Sequence, residues 1–298
     1  MACYRPTAAN QLPDGSIHFK SHTLGGNPIS IPCGQCIGCR LGRARDWTAR
    51  IVNEASLYPS NLFLTLTYDD DHLPANQSLH YPHFQSFMRK LRKWHRSSFF
   101  KTNPQAKPED YIPLRFFMCG EYGEETNRPH YHACVFNLYF DDRAVLKRGA
   151  NTLYTSPTLS KLWTYGNSSI GQLNTQTARY TARYCLKKVT GAKADDHYRG
   201  RTPEFARMSL RPGIGSAWFD RFHSDVYPHG VHTLSGRQGP PPKYYDKLWK
   251  RRDSGAMSDL AAERAHEAYK LREDNTPSRR AVKETVKRAQ LDQLKRTL

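Results

Sequence analysis

Two histidines run into an apolar segment in the stretch Arg128-Pro129-His130-Tyr131-His132-Ala133-Cys134-Val135-Phe136. This pattern is typical of a β-strand. Side chains alternate between the two faces of a strand, so His130 and His132 point to one side and Tyr131 points to the other. Two imidazoles on one face are well placed to share a divalent metal ion. The alternative is a pair of ordinary strand histidines that face solvent.

Segments on either side of this strand predict its neighbours in a sheet. Residues 114–119 read as a second strand, and the polar connection 123–129 predicts an antiparallel hairpin between the two. Residues 63–68 alternate and are β-prone, which indicates a buried strand, and residues 169–173 predict a shorter one. We therefore expect an α+β fold with a central antiparallel β-sheet and flanking helices.

Helices and a charged tail are expected around the sheet. The predicted helices are a basic one at 40–57, an amphipathic one at 82–97, a short one at 159–164 and one at 175–190. From residue 254 onward the chain is charged and helix-prone, which indicates a solvated helical tail or a partly disordered arm. The expected domains are an N-terminal cysteine-containing region with the basic helix (1–57), a core (58–220) and a basic, partly helical C-terminal extension (221–298).

The composition points to a nucleic-acid partner. Lys and Arg total 45 against 27 Asp and Glu, a formal charge of +18, and the chain contains 17 tyrosines. Basic residues interleaved with aromatic ones suit phosphate contacts and base stacking on single strands. The N-terminus lacks an apolar signal core and no stretch approaches the ~20 apolar residues of a membrane span. Seven cysteines, an odd number, favour a reducing cytoplasm over a secreted disulfide framework.

A third metal ligand is expected from the other strand of the hairpin. That strand ends in Gly120-Glu121, and the hairpin can bring Glu121 beside His130 and His132. A carboxylate with two imidazoles suits Mg²⁺ or Mn²⁺ and leaves positions open for a phosphate oxygen. Glu124 and Glu125 are alternatives for this role, but both lie in the predicted turn.

Two tyrosines follow at helical spacing. Tyr180 and Tyr184 are four residues apart, and a cation stands three residues after each, Arg183 and Lys187. Tyrosine can form covalent intermediates when a cation or a metal favours its phenolate. A metal site with two aligned tyrosines is typical of enzymes that cut and rejoin single-stranded DNA. The alternative is that both tyrosines belong to the core stripe of an amphipathic helix.

Three ordered motifs resemble those of HUH-type rolling-circle replication initiators. They are Phe63-Leu64-Thr65-Leu66-Thr67, then Gly120-Glu121 with Pro129-His130-Tyr131-His132, then Tyr180 to Lys187. The cysteine loop at 33–39 and the turn at 211–215 make the chain resemble more narrowly the initiators of gokushoviruses, small single-stranded DNA phages of the Microviridae. The resemblance covers about residues 1 to 220.

The resemblance implies a function and a set of site residues. The family folds as an antiparallel sheet, nicks replicative-form DNA at the phage origin, stays on the 5′ end through a phosphotyrosine and reseals single-stranded circles. It implies a metal on His130, His132 and Glu121, and nucleophiles at Tyr180 and Tyr184. Because only Tyr184 with Lys187 fits the stricter Tyr-x-x-Lys spacing, we expect Tyr184 to act if a single tyrosine is essential.

Cysteines near the N-terminus form a second candidate metal site. Cys33, Cys36 and Cys39 are spaced by two residues, and Cys3 can supply a fourth thiolate for Zn²⁺. The alternative is a set of reduced, unligated cysteines in a glycine-rich turn. Cys119, Cys134 and Cys185 lie on predicted core elements and are expected to be buried.

Several cations are expected to contact DNA phosphates. On the basic helix and the tyrosine helix these are Arg40, Arg43, Arg45, Arg183 and Lys188. Cations at 90–93 on the amphipathic helix are either further phosphate contacts or a solvated basic face.

The preferred hypothesis is a metal-dependent, site-specific DNA nickase and strand transferase that works in the host bacterial cytoplasm. A relaxase or a transposase of the same chemistry is one alternative. A non-catalytic, zinc-stabilised nucleic-acid-binding protein is another, and it predicts that no covalent adduct forms. The sequence has no GxxxxGK[ST] loop, so a host helicase is the expected partner for unwinding, together with a host polymerase.

Overall fold

The computed structural model describes residues 3–19, 26–149, 151–184 and 188–293. The chain divides into two compact units, one made of residues from 3–44 and 250–293 and the other of residues 45–249. The limits predicted at 57/58 and 220/221 remain a prediction about domains. In the part of the chain that is described, no helix is both long and apolar enough to cross a membrane.

The larger unit is built on a seven-stranded sheet in which every strand pair is antiparallel. In chain order its strands are β4 (Asn61–Thr67), β5 (Arg115–Tyr122), β6 (Pro129–Phe136), β7 (Ala144–Lys147), β8 (Leu153–Thr155), β9 (Ser168–Gln172) and β10 (Phe205–Met208). Across the sheet the order is β10-β5-β6-β4-β9-β8-β7. The expected antiparallel sheet is confirmed, and β5 and β6 form the predicted hairpin. The edge strand β10 was not among the strands predicted from the sequence.

Helices surround this sheet and continue into the rest of the chain. They are α1 (Ile37–Ala55), α2 (Tyr81–Thr102), α3 (Pro157–Leu162), α4 (Thr175–Ala182), α5 (Ala194–Tyr198), α6 (Ser216–Phe222), α7 (Lys243–Arg252), α8 (Ser254–Lys270) and α9 (Pro277–Asp292). The flanking helices of the expected α+β fold and its helical C-terminal tail are therefore present.

The back face of the sheet carries the main hydrophobic core. Because residues alternate along each strand, Leu64, Tyr131 and Val135 point to this side, and all three are fully buried. Helix α2 covers them with the apolar side chains Phe84, Phe87, Met88 and Leu91. Trp163, which follows α3, packs edge-on against Tyr131 and Phe87. The strands show an alternating apolar pattern because every second residue points into this core, whereas the residues between them point to the front face of the sheet.

The front face of the sheet carries the residues of opposite phase. These include Thr65 on β4, Cys119 on β5 and His132 on β6, which are paired across the three central strands. Helix α4 packs here with small side chains, and the Thr181 hydroxyl lies 3.5 Å from the Cys134 sulfur. Cys119 and Cys134 are fully buried, as predicted. Cys185 lies outside the described residues.

The smaller unit contains both ends of the described chain. Its three-stranded antiparallel sheet has the order β2-β1-β3, with β1 at Thr7–Gln11, β2 at Ile17–His18 and β3 at Asn27–Ile31. Helix α9 belongs to this unit as well, and its buried Glu284 accepts a hydrogen bond from Arg5 at 3.0 Å. Part of the charged tail is therefore packed rather than a solvated arm.

Candidate active site

The register of the β5–β6 hairpin brings three candidate metal ligands together. Glu121 pairs with His130 across the two strands, and Cys119 pairs with His132. Paired residues of antiparallel strands point to the same face, so the Glu121 carboxylate lies beside both imidazoles. Glu124 and Glu125, the alternatives, are exposed in the turn. The expected grouping of Glu121, His130 and His132 is therefore present.

The distances between the three ligands suit a single ion. The Glu121 carboxylate oxygen lies 3.4 Å from Nε2 of His132 and 3.9 Å from Nε2 of His130. Two ligands on one Mg²⁺ at ~2.1 Å can be at most about 4.2 Å apart, and both distances are shorter. Glu121 is only 2% exposed. A buried carboxylate between two imidazoles is a donor set that fits Mg²⁺ or Mn²⁺.

Both histidines are oriented by partners on their other ring nitrogen. Nδ1 of His130 lies 3.1 Å from the Arg128 carbonyl oxygen, which can only accept, so Nδ1 carries the proton. Its Nε2, the nitrogen that faces Glu121, is then the one that can ligate a metal ion. Nδ1 of His132 lies 3.1 Å from the Thr65 hydroxyl, which can accept the same kind of bond.

Phe63 on β4 restricts the orientation of the His132 imidazole ring. Its ring stacks on His132 at a centroid distance of 5.3 Å and an angle of 10°. Phe63 and Thr65 belong to a motif noted in the sequence, but their contacts to His132 were not predicted. The sequence did contain a signal for these contacts. Phe63 and Thr65 alternate with Leu64 and Leu66, so their side chains point to the face of the sheet that carries the candidate metal ligands.

Helix α4 places Tyr180 directly at this group. Asn174 caps the N-terminus of the helix, and its side chain accepts hydrogen bonds from the Gln176 and Thr177 N–H groups. Its buried face consists of Thr177, Ala178, Thr181 and Ala182, so the tyrosines are not the core stripe of the helix. The Tyr180 ring meets His132 edge-on at 4.9 Å. Burial and the neighbouring Glu121 charge raise the pKa of the Tyr180 phenol.

Tyr184 lies beyond the end of α4, next to the front face of the sheet. Its ring is 6.4 Å from Phe117, which precedes Glu121 by four residues on β5. The helix predicted at 175–190 is shorter in the structure, since α4 ends at Ala182 and residues 188–190 are not helical. Lys187 lies outside the described residues. The ring of Tyr180 is thus in contact with a candidate metal ligand, His132.

An open pocket of about 590 Å³ leads to the two histidines. Its walls include Thr67, Asn167 and Arg128, and its rim carries Asp69 and Asp70. The Arg128 guanidinium donates to Asp70 at 2.6 Å and to the Tyr68 carbonyl oxygen at 3.2 Å. The three aspartates at 69–71, which follow β4, thus form a solvated strand end in which Asp70 pairs with Arg128. Arg128 was not predicted as a site residue, although it directly precedes the histidine motif.

The four predicted cysteines form a separate cluster in the smaller unit. Cys3, Cys33, Cys36 and Cys39 place their sulfurs within 4.8 Å of one another. The Cys3 sulfur lies 3.7 Å from that of Cys33 and 3.9 Å from that of Cys36. Tetrahedral zinc with ~2.3 Å bonds requires a sulfur separation of about 3.8 Å. The four sulfurs therefore lie together as expected, and their spacing fits Zn²⁺.

Backbone N–H groups point at these sulfurs. The Tyr4 N–H donates to Cys36 and the Cys33 N–H donates to Cys3, both at 3.3 Å. Although burial opposes it, hydrogen bonds from the Cys39 and Tyr4 backbone lower the pKa of the Cys36 thiol to about 6. A thiolate stabilised in this way is a ready metal ligand.

The cations predicted to meet DNA also make contacts within the protein. Arg40 and Arg43 donate to the carbonyl oxygens of Gln35 and Gly34 in the cysteine loop. Arg45 pairs with Asp46 at 2.8 Å. Arg183 caps the C-terminus of α4, and the Lys188 N–H bonds to the Tyr184 carbonyl oxygen.

Comparisons with known proteins fit this arrangement. A family model for replication-associated proteins of the ORF2 type matches residues 61–189, a range that contains Glu121, both histidines and both tyrosines. The Replication-associated protein VP4 of Bdellovibrio phage phiMH2K is 34% identical over 257 residues, which are 84% of this chain and 78% of that protein. The chain belongs to the replication-associated proteins of Microviridae phages.

Two more members of the replication-associated protein family are similar along most of this chain. The Replication-associated protein ORF2 of Spiroplasma virus 4 is 34% identical and covers 84% of this chain and 81% of its own length. The Replication-associated protein ORF4 of Chlamydia phage 1 is 30% identical over 74% of this chain and 54% of its own. No solved structure matches significantly. The function of this replication-associated protein therefore lies in phage DNA replication.

Proposed function

We propose that this replication-associated protein is the initiator that nicks phage DNA at the origin through a tyrosine and later reseals single-stranded circles. The observation that carries the proposal is the contact between Tyr180 and His132, beside the Glu121 carboxylate. A covalent nucleophile and a set of metal ligands thus meet on one face of the sheet, at the end of an open pocket.

His130, His132 and Glu121 would hold Mg²⁺ or Mn²⁺. The bound ion would polarise the scissile phosphate and stabilise the charge that builds on it. Thr65 and the Arg128 carbonyl group keep the two imidazoles in the orientation that ligation needs. Phe63 restricts the ring of His132 from the side of β4.

The strand is broken by transesterification at Tyr180. The phenol loses its proton, its oxygen bonds to phosphorus, and the bond from phosphorus to the 3′-oxygen breaks. The leaving oxygen takes up a proton to give a free 3′-hydroxyl, and the 5′-phosphate stays on the tyrosine. Resealing is the reverse attack by a 3′-hydroxyl, and it needs no ATP because the phosphotyrosine ester keeps the bond energy.

Tyr180 takes the first step and Tyr184 serves the second in this proposal. The Tyr-x-x-Lys spacing favoured Tyr184, but Tyr180 is the one in contact with a metal ligand, whereas the ring of Tyr184 rests near Phe117.

The partners and the second metal follow from the same role. We expect the protein to act on single-stranded and replicative-form phage DNA in the host cytoplasm, with a host helicase and polymerase. Arg40, Arg43, Arg45, Arg183 and Lys188 are proposed to contact phosphates. Zn²⁺ on the four N-terminal cysteines would stabilise the smaller unit.

The deciding experiment is a search for a covalent protein–DNA adduct. Purified protein is incubated with origin-derived single-stranded oligonucleotides and Mn²⁺, and the products are separated under denaturing conditions. We expect an adduct that needs the metal, is lost in Tyr180→Phe and persists, at reduced yield, in Tyr184→Phe. Tyr139→Phe, an exposed tyrosine of the same unit, is the matched control and should behave as wild type.

Other results would point elsewhere. An adduct lost only in Tyr184→Phe would reverse the order of the two tyrosines. Tight, metal-independent binding with no adduct on any strand of the cognate genome would leave a non-catalytic binding protein. Adducts on mobile-element DNA instead of phage DNA would favour a relaxase or a transposase.

Zinc is tested by measuring the metal content of the purified protein. We expect one equivalent of zinc, lost in Cys36→Ser and retained in Cys134→Ala, because the Cys134 sulfur lies in the other unit. A protein that folds and carries no zinc would overturn the assignment.

A further inference from the structure

We propose that helix α2 carries a second DNA-binding surface that takes the sugar–phosphate backbone of duplex DNA. This surface, here called the α2 stripe, consists of Arg89, Lys93 and Arg96 with Arg92 and Lys90 on its flanks. It rests on the role of the protein in DNA replication and does not depend on the nicking chemistry.

The stripe is the solvent side of an amphipathic helix. At 100° per residue, Arg89, Lys93 and Arg96 fall within about 60° of one another and lie opposite the buried Phe84, Phe87 and Leu91. All three cations are exposed. From Arg89 to Arg96 the stripe extends about 10 Å along the helix axis.

The charge of the stripe is not compensated within the helix. The segment Tyr81–Thr102 contains six Lys and Arg residues and no Asp or Glu. Within the described parts of the chain, the cations of the stripe make no ion pair with a carboxylate. A row of exposed, uncompensated cations attracts a polyanion, and phosphates release counterions when they bind it.

Two arginines, Arg96 within the stripe and Arg92 on its flank, lie against aromatic rings. The guanidinium of Arg92 lies 5.5 Å from the centre of the Phe116 ring, and that of Arg96 lies 5.4 Å from the rings of Phe100 and Tyr111. Stacking on a ring fixes the plane of a guanidinium while its N–H groups stay available for phosphate. Less side-chain freedom is then lost when DNA binds.

The stripe and the metal ligands face opposite ways. Helix α2 packs through Phe84 on Phe116 and Tyr131, which point to the back of the sheet, whereas His130 and His132 point to the front. A strand held at the metal ligands therefore lies on the far side of the sheet from the stripe. The stripe must bind another part of the DNA.

Duplex DNA is the form that fits best. Surfaces for single strands combine a cationic groove with exposed aromatic rings on which bases stack. The stripe is convex, and the rings beside it are covered by its own arginines. Regularly spaced cations without a stacking platform match the regular backbone of a duplex, which carries one charge per ~1.7 Å of axis.

The test compares the affinities of the full-length protein for two DNA forms. The variant Arg89→Gln/Lys93→Gln/Arg96→Gln is titrated by fluorescence anisotropy against a labelled duplex and a single strand of the same sequence, over a range of KCl concentrations. We expect its duplex Kd to rise roughly tenfold or more, and the slope of log K against log salt to fall by about 2 to 3. Single-strand binding should change by less than about threefold.

The matched control removes the same net charge from scattered positions. Lys147→Gln/Arg148→Gln/Arg221→Gln changes exposed cations on β7, the loop after it and α6, so it corrects for the loss of long-range attraction. Equal duplex affinities and salt slopes for the two variants would overturn the proposal. An equal loss for duplex and single strand in the stripe variant would overturn the choice of duplex.

Two further measurements separate the duplex-binding proposal from the nicking proposal and from membrane binding. Adduct formation on a short oligonucleotide should be unchanged in the stripe variant, so a failure of the nicking proposal would not affect the binding result. Wild-type binding to anionic lipid vesicles that the stripe variant loses, with no change in duplex affinity, would assign the surface to a membrane and sink the DNA assignment.

Discussion

At the scale of single residues, the hydroxyl of Thr65 determines how His132 is presented. It lies within hydrogen-bond distance of Nδ1, at 3.1 Å, and so orients the ring with Nε2 toward Glu121. Thr65 touches no reacting atom, which makes it a positioning residue. Its own strand, β4, is fixed between β6 and β9, so the hydroxyl has little freedom to move away.

We predict that Thr65→Val weakens Mn²⁺ affinity by about 10- to 100-fold, because outer partners of metal ligands have effects of this size. Isothermal titration calorimetry of the folded protein measures it. Thr65→Ser keeps the hydroxyl and should restore the affinity. If both variants bind Mn²⁺ as the wild type does, the hydroxyl has no part in presenting His132.

A second prediction concerns His130 itself. Removing the imidazole in His130→Ala should abolish metal-dependent adduct formation, since Glu121 and His132 alone make an incomplete donor set. The exposed His229→Ala is the control and should keep full activity. An adduct that forms equally well in His130→Ala, or in excess chelator, would show that the cluster holds no catalytic ion.

At the scale of elements, the turn at 211–215 connects α1, β5 and α6. Gly215 has a φ of +80°, and its N–H donates to the buried Glu54 carboxylate at 2.6 Å. Glu54 also pairs with Arg115 at the start of β5. A Cβ at Gly215 would come within 2.5 Å of the Tyr245 hydroxyl. The turn noted in the sequence is thus a packing junction of the larger unit.

We predict that Gly215→Ala destabilises the protein more than Gly191→Ala does. Both glycines have nearly the same φ, but Gly191 has nothing within 4 Å of the added carbon. Gly191→Ala should therefore cost only the backbone strain, about 1 to 2 kcal/mol, and Gly215→Ala roughly 2 kcal/mol more from overpacking. Urea unfolding of the two variants gives the comparison, and equal losses would mean that Tyr245 moves aside.

Much of the site could be predicted at this scale because its elements are local and periodic. The alternation in residues 63–68 and the hairpin around 123–129 were enough to place Glu121 beside His130. The end of α4 was not predictable, since Tyr180 and Tyr184 look equivalent at helical spacing. Strand β10 is four residues long, and its pairing with β5 depends on contacts between segments far apart in the chain. Such short edge strands carry little periodic signal.

At the scale of the whole molecule, the smaller unit joins residues from both ends of the chain. Glu284 on α9 accepts hydrogen bonds from Arg5 and from Arg288, at 3.0 and 2.7 Å. Although burial opposes it, these partners lower the pKa of the Glu284 carboxyl. The sequence predicted the charged tail, but not this contact, which spans 279 positions.

We predict that Glu284→Gln loosens α9. A carboxyl whose pKa is lowered in the folded state stabilises it above the unfolded value of ~4.3, and the gain is lost as the pH falls through the folded pKa. Because Arg5 is largely exposed, the loss should be modest, about 1 kcal/mol. Hydrogen exchange of α9 at pH 7 measures it, and the variant should lose the dependence on pH between about 5 and 3 that the wild type shows. Identical exchange in both proteins would contradict the role of Glu284.

The pairing of Arg5 with Glu284 also determines when the smaller unit can be completed during translation. A ribosome that adds roughly 5 to 20 residues per second needs about 15 to 55 s to travel from one partner to the other. Residues 45–249 have all been synthesised before α9 exists, so the nascent larger unit can fold while the smaller one still waits for its last helix. Completion of that unit thus has to wait until α9 has been synthesised.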